Sequence, residues 1–297
     1  MRDTLTLQSF HNALGPSHMH SAESSRQQAG IFHRLHARLD PLVLVNAWDA
    51  ASARIVERAG ATAIGTTSAG MAWSLGYADG ERMPASELLA ACARICRVAG
   101  VPVSVDIESG FGDSAQAVCD VAGALIDMGA AGINIEDGTR PGTRELASPE
   151  VLCERIAAIR KLDARFFINA RTDAYFVPWD DPAARFEEAK RRARLYAAAG
   201  ADGIFVPGMS SLEEIAGMAG AVSLPVNVYA GYAGAPPAEG FARAGARRIS
   251  LGCGPLQSAL GLVGRIAREA FEHGRFGAMG EGMLSVGEIN GLFAATP

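Results

Sequence analysis

Three apolar runs in this chain stop on charged residues. Val101–Val105 runs into Asp106-Ile107-Glu108-Ser109-Gly110-Phe111-Gly112, Gly132–Ile135 into Glu136-Asp137, and Phe166–Ala170 into Arg171-Thr172-Asp173. An unpaired buried charge is costly, so acids at the ends of buried strands require a partner. Asp106 and Glu108 are two residues apart, and on a strand such residues face the same side. Hard oxygen donors without His or Cys suit Mg²⁺, with Mn²⁺ as the second choice. For each acid the alternative is a helix cap or an ion pair with Arg. Glu136 ends its strand in the same way and can hold an ion through water, because Mg²⁺ usually keeps several of its waters. Asp137 faces the other side, and a structural salt bridge or loop cap explains it equally well. Arg171 is a natural bidentate clamp for a substrate carboxylate, or it neutralises the excess acid. Asp173 reads as structural.

Other positions carry less chemistry by themselves. Thr66-Thr67-Ser68-Ala69-Gly70 offers small hydroxyls and free backbone N–H groups, which together make an anion cradle. Asp79 sits in a long loop, where a lone Asp is usually solvated. Asn46 and Asp49 end the first strand, and Asp49 is most simply the N-cap of a helix starting near Ala50. Asn227 ends the seventh strand and can line a pocket. Cys253 ends the eighth strand as a small packed residue or a pocket thiol.

The elements that must carry these residues follow from the pattern. Apolar, β-rich runs lie near 42–46, 62–66, 101–105, 132–135, 166–170, 202–206, 225–229 and 247–251, with helical segments between most of them. Eight strands with helical crossovers pair in parallel, and eight close a barrel. The fold class is α/β, a (β/α)8 TIM-type barrel, with an open doubly wound sheet as the alternative. In such a barrel the strand-end acids and Arg171 meet at the C-terminal mouth. Ala59-Gly-Ala, Met128-Gly-Ala, Ala199-Gly-Ala and Ala244-Gly-Ala repeat one design, a helix ending at Gly in the left-handed conformation before the next strand. Residues 1–24 read as a polar, mobile arm and 25–275 as the barrel, and an added N-terminal helix carries a stripe of Ile31, Phe32, Leu35 and Leu39. Pro255–His273 reads as a long amphipathic helix, followed by a glycine-rich bend and a short helix within Leu284–Phe293. The tail 276–297 is longer than a barrel needs and is expected to pack on a neighbouring subunit.

Composition excludes several classes. The 297 residues are 49% hydrophobic and 20% charged, which is ordinary for a globular chain. A net charge of -5 with no basic block excludes nucleic acid as a partner. No run of 18 apolar residues is present, so no membrane span is expected. The N-terminus lacks a hydrophobic signal core. Five cysteines, with no Cys-x-x-Cys pair, read as reduced thiols in the cytoplasm. No His lies between Pro41 and Glu272, which excludes a Ser-His-Asp triad or a His-rich zinc site built within the barrel.

Taken together, the motifs resemble the isocitrate lyase / phosphoenolpyruvate mutase superfamily over about residues 30 to 275. The stretches that carry the resemblance are Asn46-Ala-Trp-Asp-Ala-Ala-Ser-Ala-Arg54, Thr67-Ser-Ala-Gly70 with Leu75-Gly-Tyr-Ala-Asp79, Asp106-Ile-Glu-Ser-Gly-Phe-Gly112, Ile135-Glu-Asp137 and Asn169-Ala-Arg-Thr-Asp173. The resemblance implies that Asp106 holds Mg²⁺ directly, and that Glu108, Glu136 and Asp79 act directly or through water. It implies that Thr67, Ser68 and Ala69 bind the carboxylate of a 2-oxo acid or its enolate, and that Arg171 binds the same oxygens or stabilises their charge. It also implies a homotetramer, a dimer of dimers that exchanges C-terminal helices.

Departures from the family pattern narrow the reaction. Isocitrate- and methylisocitrate-splitting members carry Lys-Lys/Arg-Cys-Gly-His after the fourth strand, and its Cys is an acid/base. Here that loop is Gly138-Thr-Arg-Pro-Gly-Thr-Arg-Glu-Leu146, without Cys or His. Phosphonate-processing members usually carry a His after the sixth strand, where this chain has Val206-Pro-Gly208. Glu108 replaces the commoner Asp. The branch near oxaloacetate decarboxylases and 2-oxo acid lyases fits best. The expected activity is a Mg²⁺-dependent carbon–carbon lyase on a small 2-oxo or 2-hydroxy (di)carboxylate, through a metal-stabilised pyruvate-type enolate. Arg140 and Arg144 either close over a second carboxylate or are solvated. Tyr77, Tyr229 and Tyr232 are candidate proton donors. The alternatives are carbon–phosphorus chemistry on phosphonopyruvate, by hydrolysis or mutase transfer, and a barrel that binds a 2-oxo acid without turnover.

Overall fold

The computed structural model describes residues 22–138, 145–280 and 282–294. Helix α1 (Ala22–His36) comes first. The strands are β1 (Leu42–Leu44), β2 (Asn46–Ala47), β3 (Ile64–Thr66), β4 (Val103–Asp106), β5 (Gly132–Glu136), β6 (Phe167–Arg171), β7 (Gly203–Phe205), β8 (Val226–Tyr229) and β9 (Ala246–Ser250). Helices α2 (Ala50–Arg58), α3 (Ser68–Ser74), α4 (Ala85–Val98), α5 (Ala115–Asp127), α6 (Pro149–Arg160), α7 (Pro182–Ala199), α8 (Leu212–Ala221), α9 (Ala238–Arg243) and α10 (Gly254–His273) follow successive strands, and α11 (Val286–Gly291) ends the described chain.

All pairings are parallel, in the order β1-β9-β8-β7-β6-β5-β4-β3-β2. The expected first strand is split in two: β1 pairs with β9 and β2 with β3, so its halves join the two ends of the sheet. Asn46 staples that seam. Its amide donates to the Thr66 carbonyl at 2.7 Å, and its side-chain oxygen accepts from the N–H groups of Leu251 and Gly252 at 3.0 and 2.8 Å. Asn46 thus holds the barrel closed at the point where the ladder is interrupted.

Alternation along the strands explains the layers. Val103, Val105, Ile133, Ile135, Ile168, Ala170, Val226, Val228 and Ile249 pack with helix residues such as Leu88, Ile95, Leu125, Ile156 and Ile215 in one core. The intervening residues, Ser104, Asn134, Asn169, Asn227, Arg248 and Ser250, are buried and polar. The Arg248 guanidinium on β9 donates to Asn134 on β5 at 3.0 Å. Those strands are not neighbours, so this bond crosses the lumen. The lumen is therefore polar, and polar groups there must find partners among themselves.

Helix α1 closes the barrel's lower end. Phe32 is fully buried and meets Phe167 edge-on, with ring centroids 5.1 Å apart. The expected helix is present, but it starts at Ala22 and ends at His36, so residues 22–24 belong to it rather than to the arm. Leu39 lies beyond it and is 82% exposed, which corrects its place in the apolar stripe. The remainder of the expected arm lies outside the described residues. The junction glycines Gly60, Gly129, Gly200 and Gly245 all hold φ between 87° and 109°, as the repeated motif requires.

Candidate active site

Three mouth residues are placed by strand ends, whereas Asp79 lies in the loop after α3 and Glu108 lies two residues beyond Asp106 in the loop after β4 with φ 49°, so strand alternation is not what turns Glu108 toward Asp106. Asp106, Glu136 and Arg171 are the terminal residues of β4, β5 and β6. The registers Asp106↔Asn134 and Glu136↔Arg171 bring the three strand ends to one rim. Asp106 accepts from the Ser68 hydroxyl at 3.0 Å and from its N–H at 3.3 Å, and the Asp106 N–H donates to the Thr66 hydroxyl at 3.0 Å. Thr67 caps α3, its hydroxyl accepting from the Gly70 N–H. Thr67, Ser68 and Ala69 are all buried, but the N–H and hydroxyl of Ser68 turn to Asp106 and the Thr67 N–H donates to the Ala47 carbonyl at 3.2 Å, so part of the expected cradle is engaged within the protein.

Arg171 is the cation at the centre of this crowd. Its Nη1 lies 2.7 Å from Glu136 Oε2, while Nε and Nη2 donate to the two oxygens of Asp173 at 2.6 and 3.0 Å. Asp173 therefore orients the guanidinium, in keeping with its structural reading. Burial alone would weaken the hold of Arg171 on its proton, but the charges of Glu136, Asp173 and Asp106 outweigh that and keep it firmly charged.

The acids pay for their proximity. Burial and then the charge of Asp79 raise Glu108 from 4.5 to about 8. Burial also raises Glu136 well above its ordinary value; Arg171 pulls it down, and Asp173, Asp106 and Glu108 push it further up. Asp79 is raised by desolvation within the mouth and then by Asp106. These effects are mutual, so Asp79, Asp106, Glu108 and Glu136 share one field with too little positive charge. An all-oxygen, over-negative donor set fits a hard divalent cation. Among the described residues, however, no group of three His, Cys, Asp or Glu is close enough to hold an ion by itself. The expected set of Asp106, Glu108 and Glu136 meets at one mouth without closing on a common point, so part of any coordination shell falls to water or substrate.

Asp137 points away from the mouth, as strand alternation demands. It accepts from the Arg192 guanidinium at 2.9 Å, from the Tyr196 hydroxyl at 2.5 Å and from the Asp173 N–H at 2.9 Å. Its role is the structural one. Asp49 is the N-cap of α2, with a reciprocal bond to Ser52. Asn227 is buried, and its oxygen accepts from Ser250 at 3.0 Å while its Nδ2 has no partner. Among the tyrosines, Tyr77 donates to Glu87 at 2.7 Å and Tyr229 to the Gly231 carbonyl at 2.9 Å, so both protons are engaged. Tyr232 is exposed. Cys253 feels the charges of Asp79 and Asp106, but burial is the main cause that raises its thiol. Arg140 and Arg144 lie outside the described residues.

Sequence reasoning missed Glu81, Arg155 and Arg192. Glu81 holds the loop after β4. Arg155 on α6 donates to the carbonyls of Ser109 and Gly112 in the same loop. The one available signal was an acid two residues after Asp79, and helix arginines carry none.

A hollow of about 320 Å³ lies at the other end of the barrel, lined by Leu35, Arg38, Leu42, Val43 and Val56, and none of the mouth residues borders it.

Comparison with known proteins agrees with the motifs. The family described as phosphoenolpyruvate phosphomutase matches residues 32–271. An uncharacterized protein of Mycobacterium tuberculosis is 36% identical over 242 residues, covering 80% of this chain and 87% of its own. The 2-methylisocitrate lyase of Escherichia coli is 35% identical over 197 residues, 63% of this chain and 64% of its own. Among solved structures, a phosphoenolpyruvate phosphomutase from Streptomyces platensis superposes with a TM-score of 0.80 at 26% identity, covering 89% of this chain and 94% of its own.

Proposed function

Because this chain belongs to the phosphoenolpyruvate phosphomutase family, whose relatives include lyases and mutases, we propose that it is a Mg²⁺-dependent carbon–carbon lyase acting on a small 2-oxo or 2-hydroxy (di)carboxylate. The observation that carries this reading is the mouth itself, where Arg171 lies among Glu136, Asp173, Asp106, Glu108 and Asp79. A divalent cation bound there supplies Lewis-acid stabilisation for the oxyanion of a pyruvate-type enolate. Asp106 would hold it directly, and Glu108 and Glu136 would hold it directly or through water, with Asp79 at the rim. The loop from Thr67 to Ala69 receives the substrate carboxylate, and Asn227 lines the lumen below. Arg171 cannot give up its proton, so it serves as a fixed positive charge and hydrogen-bond donor to the same oxygens.

Carbon–phosphorus chemistry is the second reading, favoured by the phosphomutase relative and using the same enolate site. A third is binding without turnover, favoured by the engaged protons of Tyr77 and Tyr229.

We assign the protein to the cytoplasm on its free cysteines, and to a homotetramer that exchanges C-terminal helices. Phe271, Phe276, Met283 and Val286 support that assembly, being 88%, 64%, 70% and 76% exposed along α10 and the tail. Among the described residues, no helix is long and apolar enough to cross a membrane.

The test is pyruvate release from oxaloacetate, 2,3-dimethylmalate, 2-methylisocitrate and phosphonopyruvate, each with Mg²⁺ or chelator, beside Asp106→Ala. Metal-dependent release that the variant loses is the expected result. Release from phosphonopyruvate alone moves the assignment to carbon–phosphorus chemistry, and tight binding without release from any of the four moves it to the binding barrel.

A further inference from the structure

Two loops at the mouth are tied by a contact that the chemistry above does not use. Among the described residues, the non-glycine residues at positive φ are Glu81 at 52°, Glu108 at 49° and Phe111 at 57°. All three lie in the loops after α3 and β4. A side chain at positive φ crowds its own backbone and persists only where the surroundings over-determine it.

Glu81 supplies that determination. Its Oε1 accepts from the Ser109 hydroxyl at 2.6 Å and from the Phe111 N–H at 3.0 Å. The tie therefore joins the loop that carries Asp79 to the residues immediately after Glu108. Arg155 grips the far side of the second loop through the carbonyls of Ser109 and Gly112, at 2.7 and 3.3 Å. A Cβ at Gly110 would come within 2.7 Å of Val118, so the loop is also packed hard against α5. With one side gripped by Arg155 and α5, Glu81 is the partner that sets the other side. Without its carboxylate, the Ser109 hydroxyl and Phe111 N–H lose their acceptor. The Glu108 carbonyl keeps its bond from the Glu136 N–H at 2.8 Å and the Gly110 N–H its bond to Ile107 at 2.7 Å, so the loop stays attached, but the side chain loses the tie that fixes its direction into the mouth.

We infer that Glu81 is a positioning residue, whose carboxylate holds Glu108 in the strained conformer that presents a second acid beside Asp106 to a divalent cation. The inference rests on the cation reading of the mouth and adds the residue that sets the ligand geometry.

The experiment is Mn²⁺ binding to the full-length protein, followed by calorimetry or electron paramagnetic resonance. It compares wild type, Asp106→Ala, Glu81→Ala, Glu81→Gln and Ser109→Ala. Unchanged binding in Asp106→Ala sinks the cation reading, and the inference falls with it. Where Asp106→Ala abolishes binding, Glu81→Ala should bind about tenfold more weakly than wild type, the effect of a lost hydrogen bond to a charged group. Glu81→Gln should bind within about threefold of wild type, because its amide oxygen accepts the same two bonds. A merely structural contact lowers the melting temperature in both variants without this split in affinity. Ser109→Ala loses one bond and should fall between them, and it decides the question if Glu81→Ala does not fold. Wild-type affinity in Glu81→Ala, or in Ser109→Ala when that variant decides, overturns the inference. So does a Gln variant as weak as the Ala variant.

Discussion

Acid should strip stability from this fold through His36, and the magnitude follows from where the ring sits. The ring stacks on Phe167 with centroids 4.2 Å apart, its Nδ1–H donates to the Phe32 carbonyl at 2.8 Å, and its buried Nε2 has no partner. Burial, then the nearby Arg248 guanidinium, lowers its pKa from 6.5 to about 3. The folded protein therefore accepts the neutral ring, while the unfolded chain protonates it near 6.5. Because the unfolded state binds the extra proton, this stability is intact above pH 6.5 and is lost progressively as pH falls toward about 3. At 1.36 kcal/mol per pKa unit, the loss is about 1.4 kcal/mol at about pH 5.5 and about 2.7 kcal/mol at about pH 4.5. The acids at the mouth oppose it. Glu108 and Glu136 have raised pKa values in the fold, so protonating them favours the folded state at low pH. The wild-type curve mixes these effects, and comparison with His36→Leu isolates the ring. Chemical denaturation of both proteins between about pH 7.5 and about 4.5 should show wild type losing about 2.7 kcal/mol relative to the variant. A difference that stays flat across that range refutes the reasoning.

Three more outcomes are expected. Asp137→Ala removes the buried carboxylate shared by Arg192 and Tyr196 and leaves Glu188, at 2.7 Å, as the remaining acid on the guanidinium, so it should cost about 3 kcal/mol by denaturant titration. Glu108, raised to about 8, must lose its proton when a cation binds, so Mn²⁺ affinity should climb with pH up to about 8 and then level. Binding titrations at three pH values check this, and pH-independent affinity contradicts it. Arg171→Lys keeps the charge but loses the two-pronged contact with Asp173, and should lower kcat/KM by about 10- to 100-fold with the fold intact by circular dichroism.

Much of this architecture was legible because short apolar runs recur with helical segments between them, and in some strands polar residues alternate with the apolar ones. Val103 and Val105 against Ser104 and Asp106 already separate the helix-facing side from the lumen. The four junction glycines announced their positive φ through a repeated motif. Asp106, Glu136 and Arg171 were legible as charges that terminate apolar runs. The seam at Asn46 was not, because a side chain substituting for ladder hydrogen bonds leaves no periodic trace. The side on which Asp137 finds its partner was open until α7 placed Arg192 and Tyr196 against it. Glu81 was hidden for a related reason. Its importance lies in the positive φ of Glu108 and Phe111, and residue types other than Gly, Asn and Asp give little warning of that conformation.

A mouth that stabilises a pyruvate-type enolate exchanges the protons of pyruvate itself, whatever the full substrate is. Pyruvate in D₂O, incubated with the Mg²⁺-loaded protein and followed by proton NMR, should lose its methyl signal faster than in buffer. The excess rate should vanish with chelator and in Asp106→Ala, and should fall in Arg171→Lys. A methyl signal that decays at the buffer rate, in protein shown by titration to hold the metal, would contradict the claim.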